Sequence, residues 1–208
     1  MTTDQELREA RLFAWRMEDE RQRNAARASL LSRWLPQGGV GAELGVFQGR
    51  FSRTLLEATG AARLHLIDPW YLLTAEWHWG WGNRNTVDAV IAVLQDFKCE
   101  IGGQRVVVHV ADDRAVLREL PDHYFDWVYI DSSHQYEHTR DELDLLFHKV
   151  KPEGVIAGDD WRPDPEHRHH GVYRAVTERV STGEYYLVGA DEATTQWAIR
   201  REAARAAE

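Results

Sequence analysis

The sequence contains little cysteine, no block of basic residues and no long apolar run. Its 208 residues include one cysteine, Cys99, so an intramolecular disulfide is impossible, a cysteine-based zinc site is disfavoured, and we expect a buried free thiol. Asp and Glu outnumber Lys and Arg by 34 to 25, which disfavours nucleic acid and anionic membrane surfaces as partners. No apolar run approaches the roughly 20 residues that cross a bilayer, and the first 13 residues contain no apolar signal core. We therefore expect a cytoplasmic protein.

The composition of the chain changes at Pro36. Residues 4–35 lack Gly and Pro and are rich in Ala, Arg, Glu and Leu, which predicts two helices or one bent helix that end at this proline. We therefore divide the chain into an N-terminal helical extension, residues 1–36, and one domain, residues 37–208. The apolar faces of the extension allow it to form a lid or a contact between two copies, so a homo-oligomer is one arrangement to test.

After this proline, short apolar runs alternate with segments of helical periodicity. Such alternation predicts an α/β fold in which helices cover both faces of a mostly parallel sheet. Two further runs, 185–188 and 195–199, flank the turn GADEAT and predict a closing antiparallel hairpin. The five predicted parallel strands begin at Val40, Leu64, Val106, Phe125 and Val155.

Every predicted parallel strand is followed by an acidic residue or a glycine turn. In a doubly wound sheet, ligands bind outside the carboxyl ends of the strands, so five such loops at one edge favour a binding site over incidental helix caps. The five loops, in chain order, are GVFQG, DPW, ADD, DSSH and GDDW.

The first of these loops favours a positively charged cofactor. Gly45 and Gly49 allow a tight turn and a close approach of the backbone to a ligand, but their spacing is not that of the dinucleotide motif GxGxxG. Glu43, just before the turn, would repel a pyrophosphate and attract a cation such as the sulfonium of S-adenosylmethionine. Asp68, after the second strand, stands where a carboxylate receives ribose hydroxyls.

These motifs, in this order, resemble the S-adenosylmethionine-dependent methyltransferases of the Rossmann-like type. The motifs are AELGVFQG, Asp68, the acidic pair 112–113, DWVYID and KPEG, and the resemblance covers residues 38–200. It implies a three-layer sandwich whose seven-stranded sheet has its last strand inserted antiparallel between the fifth and sixth. It also implies a set of cofactor-binding residues: Glu43, Gly45 and Gly49 near the methionine part, Asp68 near the ribose, and Asp112 or Asp113 near the adenine. Phe47 and Trp70 belong to the same predicted set.

Three further aspartates suggest a magnesium site. Asp131, Asp159 and Asp160 end the fourth and fifth strands, which are neighbours in this fold and about 5 Å apart. Carboxylates held that close repel each other unless a cation is present, and oxygen ligands suit Mg²⁺. The catechol O-methyltransferases are similar here, although they have asparagine in place of Asp160, a difference that fits the macrocin-type enzymes better. The alternative is that these aspartates are a helix cap and a loop anion.

The remaining candidates are a residue that could take a proton from the substrate and residues that could contact the substrate. His134 stands where the catechol family has a lysine base, so it either takes a proton or docks its own loop together with Tyr136. The histidines of PEHRHHG offer transition-metal ligands, but such a polar loop is more often solvated. Candidate substrate contacts are Trp77, Trp79, Trp81, Tyr136, Trp161 and Arg162.

Together these features predict a magnesium-dependent O-methyltransferase of a small-molecule hydroxyl, such as a sugar, a phenol or another natural product. Asp131 would hold the metal and His134 would take the proton. Three alternatives remain open at this point: metal-independent transfer with His134 as the base, a hydrolase or oxidoreductase on the same sheet, and a module that binds the cofactor without catalysis.

Overall fold

The computed structural model describes residues 20–72 and 86–202, which form a three-layer α/β sandwich around a seven-stranded sheet. The strand order is β3-β2-β1-β4-β5-β7-β6, and β7 pairs antiparallel with both β5 and β6. This confirms the predicted fold, including the insertion of the last strand. The strands are β1 (Val40–Leu44), β2 (Arg63–Asp68), β3 (Val106–Val110), β4 (Phe125–Ile130), β5 (Val150–Gly158), β6 (Tyr185–Asp191) and β7 (Gln196–Arg201).

Seven helices accompany these strands in the described part of the chain, together with a short 3₁₀ turn at Trp70–Leu72. The first, α1, covers residues 20–34, so whether residues 4–35 form one helix or two lies partly outside the described residues. The others are α2 (Arg50–Thr59), α3 (Thr86–Asp96), α4 (Lys98–Gly102), α5 (Asp113–Glu119), α6 (Tyr136–Lys149) and α7 (His170–Ser181).

Strand β5 begins five residues earlier than the sequence suggests. Pro152 and Gly154 lie within the strand instead of forming a turn before it, and its pairing with β4 shifts register between Phe125 and Trp127. A Cβ on Gly154 would lie 2.8 Å from the backbone oxygen of Asp126, so glycine permits this irregular pairing. A bulge of this kind tolerates proline as well.

The two faces of the sheet bury separate apolar cores, because successive side chains of a strand point to opposite sides. On one face, Trp127 and Tyr129 of β4 share a core with Leu31 of α1. On the other face, Val128 and Ile130 pack with α6 and α7. Since β1 pairs with β4 and β4 pairs with β5, the loops after these three parallel strands meet at one edge.

Two further observations concern the surface. Cys99, in α4, is exposed, so the expectation of a buried thiol was wrong; the short helix turns its side chain away from the core. None of the described helices combines the length and apolar character that crossing a membrane requires.

Candidate functional site

The turn after β1 packs directly against the end of β4. Gly45 has φ +85°, and a Cβ at this position would lie 2.1 Å from the backbone oxygen of Asp131, so the loop requires glycine there. The amide of Asp131 in turn donates to the carbonyl of Leu44 over 2.8 Å. Gly49, at φ +72°, caps the start of α2. The predicted cofactor loop and the predicted catalytic aspartate therefore form one structural unit.

Asp68 holds the same loop from the other side. One of its carboxylate oxygens accepts from the amides of Val46 and Phe47, each over 2.9 Å, and the other accepts from the amide of Trp70 over 2.7 Å. Burial raises the pKa of Asp68, and these three hydrogen bonds act against that rise. A carboxylate has about four acceptor positions, so this residue retains room for one hydroxyl of a ribose.

These loops surround a cavity of about 530 Å³. Seven of the eight predicted cofactor-binding residues line this cavity, and Gly49 is the one that does not. Asp131 lines the cavity as well. The cavity therefore has the glycine turn, the buried carboxylates and the apolar surface that an adenosyl cofactor requires. Its lining residues are Glu43, Gly45, Val46, Phe47, Phe51, Asp68, Pro69, Trp70, Leu72, Thr86, Asp112, Asp113, Arg114, Asp131, Ser132, Ser133 and His138.

Glu43 is fully buried in the cavity wall and accepts a hydrogen bond from the Ser52 hydroxyl. Burial raises the pKa of Glu43 well above its ordinary value, and the neighbouring Asp131 raises it further. The expected attraction between Glu43 and a cation therefore depends on loss of a proton. A positively charged ligand would favour that loss, because it stabilises the carboxylate.

A second group of ionisable side chains borders the cavity near the end of β3. Asp112 caps α5 and pairs with Arg114 over 2.9 Å, whereas both oxygens of Asp113 lie 3.1 Å from His138 Nε2. Burial opposes the charge of His138, but the hydrogen bonds to Asp113 and Glu142 raise its pKa to about 10. Burial and the charge of Asp113 also raise the pKa of Glu142. This group gives the predicted adenine end of the cavity a histidine in contact with Asp113.

The carboxyl ends of β4 and β5 are bridged by an arginine. Arg27 of α1 is 3% exposed; its guanidinium donates to Asp159 and lies 3.7 Å from Asp131. The guanidinium also stacks over Phe51, 4.3 Å from the ring centroid. Burial works against its charge, but Tyr129, Asp159 and Asp131 raise the pKa of Arg27, so the group is a permanent cation at this position.

Asp159 has further partners besides Arg27. Its second oxygen accepts from the Thr195 hydroxyl and, over 2.8 Å, from Gln196 Nε2. Its backbone oxygen accepts from the Trp197 indole over 2.8 Å. The inserted strand β7 therefore satisfies this carboxylate from the side opposite to α1.

Asp160 is turned away from the other two aspartates. It has φ +61°, and one of its oxygens lies 2.9 Å from His134 Nδ1 and 2.7 Å from His169 Nδ1. Burial acts to raise the pKa of Asp160, but hydrogen bonds and charge from His134 lower it to about 2. The three carboxylates are therefore not grouped around one point in the described structure, because Arg27 pairs with Asp159 and the two histidines contact Asp160, and the magnesium site stays a prediction.

None of the three predicted substrate residues that the structure describes lines the cavity. Tyr136 donates to Glu178 over 2.5 Å, Trp161 packs against Tyr173 in the core, and Arg162 lies beside Asp160, so none of these three is among the lining residues. His134 is likewise absent from that lining, since its ring faces Asp160. Trp77, Trp79 and Trp81 lie outside the described residues.

Sequence reasoning missed Arg27 and gave His138 only a part in docking its loop, not a place in the cavity wall. Arg27 is four and eight residues before Leu31 and Leu35, both buried, so helical spacing already placed a charge on the apolar face of α1. His138 precedes the buried Glu142 by one helical turn in α6. For Arg27, a charged residue in register with an apolar stripe was the available signal.

Comparisons with known proteins agree with the fold. Residues 42–161 match a family model described as a methyltransferase domain. No curated protein matches the chain in sequence. A protein of Corynebacterium glutamicum is similar in structure, with a TM-score of 0.60, 14% identity, and coverage of 99% of this chain and 93% of its own.

Two similar structures were solved with S-adenosylhomocysteine. The methyltransferase PaMTH1 of Podospora anserina has a TM-score of 0.57 at 13% identity, covering 79% of this chain and 72% of its own. SMU.1697c of Streptococcus mutans has a TM-score of 0.55 at 10% identity, covering 84% of this chain and 94% of its own. At these identities the likeness shows the fold alone.

Replacement of Arg27 by methionine will destabilise the protein strongly. It removes the buried cation that pairs with Asp159, whose side chain is 16% exposed, and loss of one partner of a largely buried ion pair typically costs about 3–5 kcal/mol. Arg53→Met is the matched control, because Arg53 also pairs with a carboxylate, Glu100, and stacks over a phenylalanine, Phe97, yet its side chain is 36% exposed. An exposed pair contributes about 0–1 kcal/mol. Urea unfolding measures both free energies, and equal losses would contradict the described role of Arg27.

Proposed function

We propose that this chain, which belongs to the methyltransferase-domain family, transfers the methyl group of S-adenosylmethionine to a hydroxyl group of a small molecule. In this proposal no magnesium ion takes part in the transfer. The observation that carries this proposal is the environment of Asp131. This residue lines the cavity, and burial, followed by the charge of Asp159, raises its pKa to about 7, with Arg27 acting in the opposite direction.

The cofactor would lie along the loop after β1. Gly45 lets the backbone approach the ligand, Asp68 offers its remaining acceptor position to a ribose hydroxyl, and Asp113 with His138 borders the adenine end. Glu43 would face the positively charged methionine part. When bound, S-adenosylmethionine supplies a methyl group that its sulfonium already activates, so the protein has to orient the acceptor and accept its proton.

Asp131 is the proposed base. A carboxylate with a pKa near neutrality combines a sufficient deprotonated fraction with useful basicity. Arg27 would keep Asp131 and Asp159 from sharing a proton by adding positive charge beside them. His134 contributes positive charge near Asp131, because the hydrogen bond to Asp160 raises its pKa against the effect of burial. In this proposal Asp131 accepts the proton of the acceptor hydroxyl, and His134 is a positioning residue.

A small-molecule hydroxyl is the substrate class that fits best. Acidic residues dominate both the chain, with a net charge of −9, and the polar lining of the cavity, so a polyanion would be repelled. A negatively charged cavity wall that includes one carboxyl group with a pKa near neutrality, Asp131, suits an uncharged acceptor that gives up a proton. The resemblance to natural-product O-methyltransferases supports the same class, with sugars and phenols as the first candidates.

Asp131→Asn will remove methyl transfer and keep cofactor binding. The amide preserves the size of the side chain but cannot accept a proton, and loss of a general base typically lowers turnover by about 10²–10⁴-fold. Transfer of labelled methyl from S-adenosylmethionine to a panel of sugars and phenols measures turnover, and calorimetric titration with S-adenosylhomocysteine measures binding. Turnover equal to that of the wild-type protein would exclude Asp131 as the base.

The rate of methyl transfer will rise with pH to a plateau, with a midpoint of about 7. Asp131 is protonated below its raised pKa and cannot act as a base there, so the rate should fall about tenfold per pH unit below the midpoint. Glu142→Gln is the control, because this buried neighbour of His138 also has a raised pKa but lies outside the cavity lining. A midpoint that moves in Glu142→Gln, or a flat profile, would contradict the assignment.

A further inference from the structure

Outside the cavity, two histidines and one carboxylate from three segments meet at the carboxyl edge of the sheet. His134 follows β4, Asp160 follows β5, and His169 immediately precedes α7. Their potential ligand atoms all lie within 4.8 Å of one another. We propose that these three residues, the His₂Asp cluster, bind one divalent transition-metal ion of the Zn²⁺ class.

The geometry of the cluster is close to that of a metal site. The two Nδ1 atoms lie 2.9 Å and 2.7 Å from the same oxygen of Asp160, and the two imidazole rings are stacked with centroids 4.5 Å apart. Ligand atoms bound tetrahedrally to zinc at about 2.0–2.1 Å are separated by roughly 3.3 Å. Each of these N···O separations would therefore have to widen by about half an ångström, with loss of the Nδ1 protons, to admit an ion.

The donor set selects the class of ion. Two imidazole nitrogens and one carboxylate oxygen suit Zn²⁺, Co²⁺, Ni²⁺ and Fe²⁺, whereas Mg²⁺ prefers oxygen ligands only. The second oxygen of Asp160 lies 3.7 Å from Arg162 Nε, so the carboxylate would bind through one oxygen.

Two backbone conformations support the same conclusion. His134 and Asp160 both have positive φ, +59° and +61°, which residues other than glycine rarely adopt. Strained residues of this kind concentrate at ligand-binding positions, where the surrounding structure holds them.

A bound ion would join three separate parts of the chain. It would tie the loop after β4 to the end of β5 and to the start of α7. Asp131 is three residues before His134, so the ion would also fix the loop that carries the proposed base. The proposal itself does not depend on the proposed function, because it concerns binding by residues outside the cavity lining.

Titration of the full-length protein with Co²⁺ tests the cluster. The wild-type protein should bind one equivalent and develop the visible absorption bands of a nitrogen- and oxygen-ligated Co²⁺, which excess Mg²⁺ should not displace. His169→Ala and Asp160→Asn should each weaken binding by at least about tenfold, since even partners of metal ligands contribute that much. His148→Ala, an exposed histidine in α6, is the matched control and should bind as the wild-type protein does.

Absence of Co²⁺ binding by the wild-type protein, or unchanged binding by both variants, would overturn the proposal. Thermal unfolding of the wild-type protein provides a second measurement that needs no variant to fold. The midpoint should rise with added Zn²⁺ and not with Mg²⁺, because only an ion that binds the native state stabilises it; a midpoint insensitive to Zn²⁺ would also overturn the proposal. Neither experiment uses S-adenosylmethionine or an acceptor, so failure here is separate from failure of methyl transfer.

Discussion

The ion pair between Arg27 and Asp159 is the interaction on which the carboxyl edge of the sheet depends. Neighbouring parallel strands end in Asp131 and Asp159, and two carboxylates so close need a proton or a cation between them. The protein supplies that cation from α1. A single guanidinium therefore balances the charge of the site, attaches the first described helix to the sheet, and stacks over Phe51 in the cavity wall.

The other features of the site follow from this arrangement. Partial burial and the charge of Asp159 raise the pKa of Asp131, whose side chain is 25% exposed, while Arg27 limits the rise. The backbone of Asp131 packs against Gly45, so the proposed base and the proposed cofactor turn are in direct contact. Asp160 takes no part in the pair between Arg27 and Asp159, and its carboxylate contacts His134 and His169 instead. One edge of the sheet thus separates into an arginine-bridged part, from which Asp131 lines the cavity, and a histidine-lined part outside the cavity.

The fold could be predicted from the sequence because it depends on local patterns. Alternating apolar runs and helical spacing placed all seven strands, and a family resemblance supplied the order of the last two. The position of each loop followed from the same patterns, which is why most of the predicted cofactor residues line the cavity. The directions of the side chains could not be predicted from these patterns, because they depend on contacts between residues that are far apart in the sequence. Asp159 and Asp160 are adjacent in sequence, yet they face opposite partners, and the arginine that decides this lies 132 residues from Asp159. The bulge that lets Pro152 enter β5 likewise depends on packing against β4.

Arg27 is the cation of this methyltransferase at the ends of β4 and β5. The most direct test is a crystal structure of the protein with S-adenosylhomocysteine, grown in the presence of excess Mg²⁺. We predict that the cofactor lies in the cavity, that the guanidinium is bonded to Asp159, and that no ion lies between Asp131 and Asp159. An octahedral ion held by Asp131, Asp159 and Asp160, with Arg27 displaced, would contradict it.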